Sequence, residues 1–300
     1  MEELNTQFAI PDQLRFDSGD GGLTKAVITN QYADAEIYLQ GGHLTHFQPK
    51  GADPVIWMCN SAIFKEGKAI RGGIPICWPW FGPHSTDSTL PQHGFARTSL
   101  WSVKSSKSLA DGSTSLCLGL SSDGSNPVWP QHCELSLEFI VGRALQLILT
   151  AKNTGTVDIE LGAAFHTYFT VGNSHNICIS GLDEKMYLDK PDDYKKKQQT
   201  GLVTISEEVD RVYLDTADDC IIHDPALSRN IRVGKHGSLS TIVWNPWVEK
   251  ATSMADFDDD GYKTMVCIES ANAANDVRVV APGRQHQLIQ SISVEKLSNS

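Results

Sequence analysis

The chain has 300 residues, of which 40% are hydrophobic and 20% charged, the balance of a globular protein with a large core. Thirty-six acidic against 25 basic residues leave a formal charge of −11, a field that disfavours nucleic acid and anionic membrane surfaces. Seven scattered cysteines without a CxxC pair, an acidic N-terminus without a signal core, and no run long enough to span a membrane together predict an unprocessed cytoplasmic protein with reduced thiols.

Along the chain, short segments alternate apolar and polar residues, the pattern of half-buried strands. AEIYLQ (35–40), TSLCLGL (114–120), CELSLEFIV (133–141), ALQLILTA (144–151) and VDIELGAAF (157–165) predict strands in the first half. NICIS (176–180), LVTIS (202–206), LSTIVW (239–244), DVRVVAP (276–282) and QLIQSISVEKL (287–297) predict further ones. DSGDGG (17–22), LADGS (109–113), SSDGSNP (121–127) and NTGT (153–156) supply turns between them. DYKKKQQT (193–200) reads as a short helical turn or a solvated loop, and no long amphipathic helix is evident. Many short strands at this spacing predict an all-β antiparallel sandwich. With no repeat, linker or composition shift, residues 1–300 read as one domain, its core over about 20–297.

Several residues on this frame could carry chemistry. If 159–169 is one strand, Glu160, Gly162, Ala164, His166 and Tyr168 share a face, and the small Gly162 and Ala164 leave room beside His166 for a ligand. The bland alternative is a hydrogen-bonded core histidine. Glu269 in MVCIESA shares its face with Met265, Cys267 and Ala271, and a glutamate in so apolar a strand needs either a salt bridge or a function. About 100 positions separate Glu269 from His166, so only the fold can unite them.

In IRGGIPICWPWFGPH (70–84), Gly72 and Gly73 permit close backbone approach to a ligand, and the aromatics either pack beneath the loop or face a sugar ring. Arg71 and Arg97 could each grip a phosphate by charge-assisted hydrogen bonds, although a lone arginine is more often a surface residue. ADFDDDGYKTMV (255–266) starts like a calcium loop at Asp256, Asp258, Asp260 and Gly261, but the twelfth position is Cys267 and no helices flank it. It reads as a solvated acidic turn. There is no Walker loop, GxGxxG, GxSxG or HExxH, and no two-histidine metal spacing.

Together, IRGGIPICWPWFGPH, QHGFAR, GAAFHTYF, DRVY and WNPWVEKATSMADFDDDGYKTMVCIESAN resemble the glucose-6-phosphate 1-epimerases, the hexose-6-phosphate mutarotases of the galactose-mutarotase-like superfamily. The resemblance runs from about residue 20 to 295. It implies a mutarotase-type β-sandwich acting on a small sugar phosphate with no metal or other cofactor, for which a monomer suffices. By resemblance His166 is the general acid and Glu269 the general base, facing each other across the width of a pyranose edge. Arg71, Gln92 and Arg97 are substrate-binding positions with the arginines on the phosphate, His93 lies near the ring, and Asp210 takes sugar hydroxyls. The acidic DFDDD stretch is expected to leave catalysis untouched. Two other readings remain at this point: a mutarotase for free aldoses, and a non-catalytic carbohydrate-binding sandwich.

Overall fold

A computed structural model describes residues 1–297, so the last three positions of the 1–300 span lie outside the described residues. All of the strand pairings that build its sheets are antiparallel, and they form two large sheets and two small ones. The nine-stranded sheet runs in the order 203–204, 178–180, 220–224, 229–236, 285–296, 145–153, 132–141, 114–123 and 102–108. The other large sheet runs 195–198, 186–189, 209–213, 240–245, 265–272, 163–165 and 76–77, with 168–170 also paired to 265–272. Four strands between Leu14 and Pro49 form a smaller sheet at the side of the same core. The expected all-β sandwich is therefore the observed architecture.

Period-two patterning explains how the layers meet. Val266 and Ile268 point into the main apolar core with Phe47, Leu137, Leu147, Ile231 and Ile292. Met265, Cys267 and Ala271 point the other way, into a second buried cluster with Trp57, Tyr168, Trp244, Phe257 and Tyr262. Every residue of Met265–Asn272 is buried, so this strand has protein on both faces. The second face, not the sandwich core, is where the site lies.

Three local expectations fail, each for a stated reason. The stretch 159–169 is not one strand: it breaks at Gly162 and again at His166–Thr167, and its first part pairs with 278–280 in a separate two-stranded sheet. The in–out alternation nevertheless survives the breaks, with Phe165 and Phe169 in the main core and Ala164 and Tyr168 in the second cluster. The segment 193–200 contains an edge strand, Lys195–Gln198, whose Lys197 pairs with Asp189 at 2.6 Å and Asp192 at 2.8 Å. Charged side chains of this kind protect a sheet edge from further pairing, which gives the segment its loop-like composition. A helix does flank the acidic turn 255–266 on its N-terminal side: Trp247–Ser253, two turns long and too short to show a helical period. No helix among the described residues is long and apolar enough to cross a membrane.

Candidate active site

All seven candidate residues line one cavity of about 200 Å³, together with Phe81, Lys190, Ile242, Trp244, Lys250 and Met254. Five separate stretches of chain supply the seven. Arg71 precedes the aromatic loop, Gln92, His93 and Arg97 follow it, and His166 stands just past the strand Ala163–Phe165. Asp210 lies on Val209–Tyr213 and Glu269 on Met265–Asn272. A larger hollow of about 680 Å³ beside Asp20, Glu36, Tyr38 and His46 brings together none of these groups.

The floor of the cavity is a buried acid–base pair. Glu269 is 1% exposed and its Oε1 lies 3.4 Å from His166 Nε2. Ile242 is Glu269's register partner on the neighbouring strand and also lines the cavity. The His166 backbone N–H donates to the Pro75 carbonyl at 3.1 Å, which anchors the turn that carries the ring. The ring stacks on Tyr168 with centroids 4.9 Å apart and meets Trp244 edge-on at 5.8 Å. Glu269 Oε2 and His166 Nδ1 are buried without a hydrogen-bond partner among the described residues. An unsatisfied buried polar atom costs about 1–3 kcal/mol, so the fold has reason to keep these two only for a guest.

This arrangement corrects two expectations. The pair is not split across a pyranose edge: its members are in contact. Burial also favours the neutral form of each group, where a carboxylate and an imidazolium were expected. Burial, then Arg97 and Arg71, lower the His166 pKa to about 3. Burial, then Asp210, raise that of Glu269 well above the carboxylate range, against the opposing pull of Lys190 and Arg97. Both shifts act toward the uncharged forms, a neutral imidazole and a protonated carboxyl.

His93 is fixed by its backbone and its ring together. It adopts φ +67°, its N–H donates to the Gly82 carbonyl at 2.8 Å, and its Nδ1 accepts from the Gly82 N–H at 3.3 Å. Burial, then Arg97, hold its pKa well below the ordinary histidine value, so the ring is neutral. With Nδ1 accepting, the proton resides on Nε2, which makes this ring a hydrogen-bond donor.

Four cations surround the pair, in a chain whose net charge is negative. Arg71 Nη2 donates to both oxygens of Asp256 at 3.0 and 3.2 Å, and Nη1 donates to the Tyr168 hydroxyl at 3.3 Å. Arg97 Nη2 donates to the Gln92 carbonyl at 2.7 Å, and no carboxylate pairs with it among the described residues. Lys190 Nζ lies 2.8 Å from Asp210 Oδ2, and Lys250 bridges Glu208 at 2.6 Å and Asp210 at 3.9 Å. Burial works against the Lys190 charge, but Asp210 raises its pKa nonetheless. Arg97 is therefore the cation with the most bonding capacity left for an anion.

The room beside His166 is not the space over Gly162. A side chain at Gly162 would meet the Phe81 backbone nitrogen at 3.0 Å and Trp80 Cα at 3.2 Å, so the loop fills that space. Gly72 and Gly73, both at positive φ, make way for Trp57, Met58 and His43, not for a ligand. Trp78 packs under the loop against Phe95 and Trp129, whereas Phe81 lines the cavity beside His93. The acidic turn is no bystander either. Asp256 holds Arg71, Phe257 packs on Trp57, and Asp258 accepts hydrogen bonds from the backbone N–H groups of Asn60 and Ser61. Its carboxylates serve protein donors.

Sequence reasoning passed over Lys190 and Lys250, and it read Asp256 only as part of a solvated turn. Their only signal is charge within the runs LDKPDD, WVEKA and ADFDDD, and only tertiary contact gives that charge a partner.

Comparison with known proteins identifies the family. The profile of the aldose 1-epimerase family matches residues 24–293. A protein of Escherichia coli (strain K12) named "Putative glucose-6-phosphate 1-epimerase" is 40% identical over 271 residues, 90% of each chain. One of the same name from the plant Cenchrus ciliaris is 34% identical over 88% of this chain and 82% of its own. The crystal structure of a "putative mutarotase" from Salmonella typhimurium superposes with a TM-score of 0.89 at 34% identity, covering 98% of this chain and 99% of that one. A galactose 1-epimerase from Lactobacillus acidophilus shares the fold alone, with a TM-score of 0.71 at 11% identity over 95% of this chain and 99% of its own. The chain belongs to the aldose 1-epimerase family.

Proposed function

We propose that this member of the aldose 1-epimerase family interconverts the α and β anomers of D-glucose 6-phosphate and related hexose 6-phosphates by acid–base ring opening and closure. The observation that carries this reading is the cavity itself, where a carboxyl and an imidazole in contact lie among four cations. At about 200 Å³ it is smaller than the roughly 300–1,000 Å³ of ordinary ligand pockets, which suits one monosaccharide and no oligosaccharide. The curated relatives are named for the 6-phosphate substrate.

Ring opening takes the proton from the O1 hydroxyl and gives one to O5. Both oxygens are bonded to C1, so they stand close together, and proton carriers 3.4 Å apart can serve the two at once. In this reading Glu269 as a carboxylate takes the O1 proton and His166 as an imidazolium protonates O5. The aldehyde then turns about C1–C2, and the roles reverse on closure. Substrate itself prepares that charge state. A phosphate against Arg97 and Arg71 offsets the two charges that help hold His166 low, and an O1–H donating to Glu269 favours its carboxylate. The shared proton moves to His166 without leaving the pair.

Remote contacts hold the sugar while C1 turns. Arg97 and Arg71 are assigned the phosphate, with Gln92 beside them. His93, as a fixed Nε2–H donor, and Asp210 with Lys190, as an acceptor beside a donor, are assigned the ring hydroxyls. Such contacts persist through the reaction, so they set affinity, and the pair sets the rate. Exchange NMR of the two anomers over a panel of hexose 6-phosphates and free hexoses tests the reading. Faster exchange of the phosphorylated sugars supports it, and a preference for free hexoses refutes it.

A further inference from the structure

The strand that carries Glu269 also presents Cys267 on the same face, two residues earlier. His166, Cys267 and Glu269 bring one imidazole nitrogen, one sulfur and one carboxylate oxygen to within 4.8 Å of one another. Nothing in the mechanism uses the thiol. We propose that this triad is a binding site for a thiophilic divalent cation of the zinc class, which blocks the enzyme by taking both of its proton carriers.

Donor chemistry comes first. One nitrogen, one sulfur and one oxygen match the ligands zinc takes in sites with three protein donors, where a fourth position stays open to water or substrate. Magnesium and calcium, which want oxygen alone, would not use the sulfur. Geometry comes second. Donors 2.0–2.3 Å from a tetrahedral ion stand about 3.5 Å apart. His166 Nε2 and Glu269 Oε1 already lie 3.4 Å apart. The Cys267 sulfur, within 4.8 Å of both, would have to move closer to complete the set. An independent sign is Glu269 Oε2, an unpartnered oxygen on a side chain 1% exposed that lines the cavity.

Of the nearby cations only Arg97 lacks a carboxylate partner among the described residues and opposes the ion. On binding, the thiol proton and the single proton of the pair leave to solvent. The resulting thiolate and carboxylate cancel the 2+ charge, so the site stays neutral overall. Arg71 and Lys190 are themselves offset by Asp256 and Asp210. The fourth position would face the sugar pocket, so ion and sugar should compete. That competition rests on the function proposed above, whereas binding of the ion does not.

Cobalt(II), added to the metal-depleted full chain, is the probe, because a thiolate–cobalt bond gives a near-ultraviolet charge-transfer band. The wild type should show the band at one cobalt per chain, bleached by zinc. Cys267→Ala should lose the band, keep metal-free anomer exchange within about twofold, and bind zinc more weakly by more than the about 10–100-fold typical of losing an outer partner. Cys267→Ser, closer in volume, replaces it if the alanine variant does not fold. Absence of the band, or its persistence in the variants through another of the seven free cysteines, overturns the proposal. A band that forms while zinc leaves anomer exchange unaffected keeps the metal site and refutes the catalytic roles.

Discussion

Two neighbouring pairs of residues leave the same two segments of chain in opposite directions. His166 and Glu269 point to the cavity, whereas Thr167 and Ser270, the next residue in each segment, point into the sandwich. Inside the sandwich, Gln290 joins them: Thr167 Oγ1 donates to Gln290 Oε1 at 2.5 Å, and Gln290 Nε2 donates to Ser270 Oγ at 3.0 Å. All three are at most 2% exposed. Burial is therefore nearly equal on the two faces, and satisfaction is what differs. The inner network closes on itself, as buried polar groups in a stable core do. The outer pair retains two polar atoms with no partner among the described residues. Unpartnered buried atoms occur elsewhere in the chain too, so what singles out the outer pair is that its free atoms belong to an acid and a base lining one cavity.

The sharpest way to break the contrast is to alter one residue on each side. Glu269→Gln keeps the shape but cannot carry the O1 proton. It should lower kcat by about 10²–10⁴-fold with KM little changed, as measured by exchange NMR. Thr167→Val should do the opposite. It leaves Gln290 Oε1 without its donor, so unfolding in denaturant should come about 1–3 kcal/mol earlier with kcat preserved. Loss of rate in Thr167→Val without loss of stability would erase the distinction between the faces.

The cations offer a gentler test. Arg97→Ala should raise KM for glucose 6-phosphate by about 10–100-fold, the worth of a charge-assisted hydrogen bond, and leave free glucose nearly unaffected. The same variant sharpens the electrostatic argument. Arg97 lowers the His166 pKa, so removing it should move the ring's NMR titration up from about 3 toward the ordinary value. A downward or absent shift would contradict that cause. Asp256→Asn should have the smallest effect, a rise in KM of about two- to fivefold as Arg71 loses its anchor, since the pair is partly exposed.

The sequence carried many strands of the large sheets because their alternation is local, but it did not mark 102–108, 186–189, 209–213, 220–224 or 229–236. It also placed Met265, Cys267, Glu269 and Ala271 on one face, and that face proved to be the site's. What it could not carry was the third dimension of charge. Lys190 and Lys250 matter because they meet Asp210, and Asp256 matters because it reaches Arg71 across 185 positions. No spacing rule records such contacts. The same holds for Gly72 and Gly73, whose missing side chains make way for the chain's own backbone and for His43. Protonation is hidden from the sequence for a related reason. Exposed reference values assign a charged carboxylate and a titrating imidazole, whereas burial favours the neutral form of each.

The central claim is that one buried proton pair turns over a phosphorylated hexose. Exchange NMR on wild type and Glu269→Gln, with glucose 6-phosphate and glucose side by side, tests it most directly. The account predicts fast anomer exchange of glucose 6-phosphate by the wild type, slower exchange of glucose, and loss of both in the variant. Equal acceleration of the two sugars, or an unimpaired variant, would contradict it.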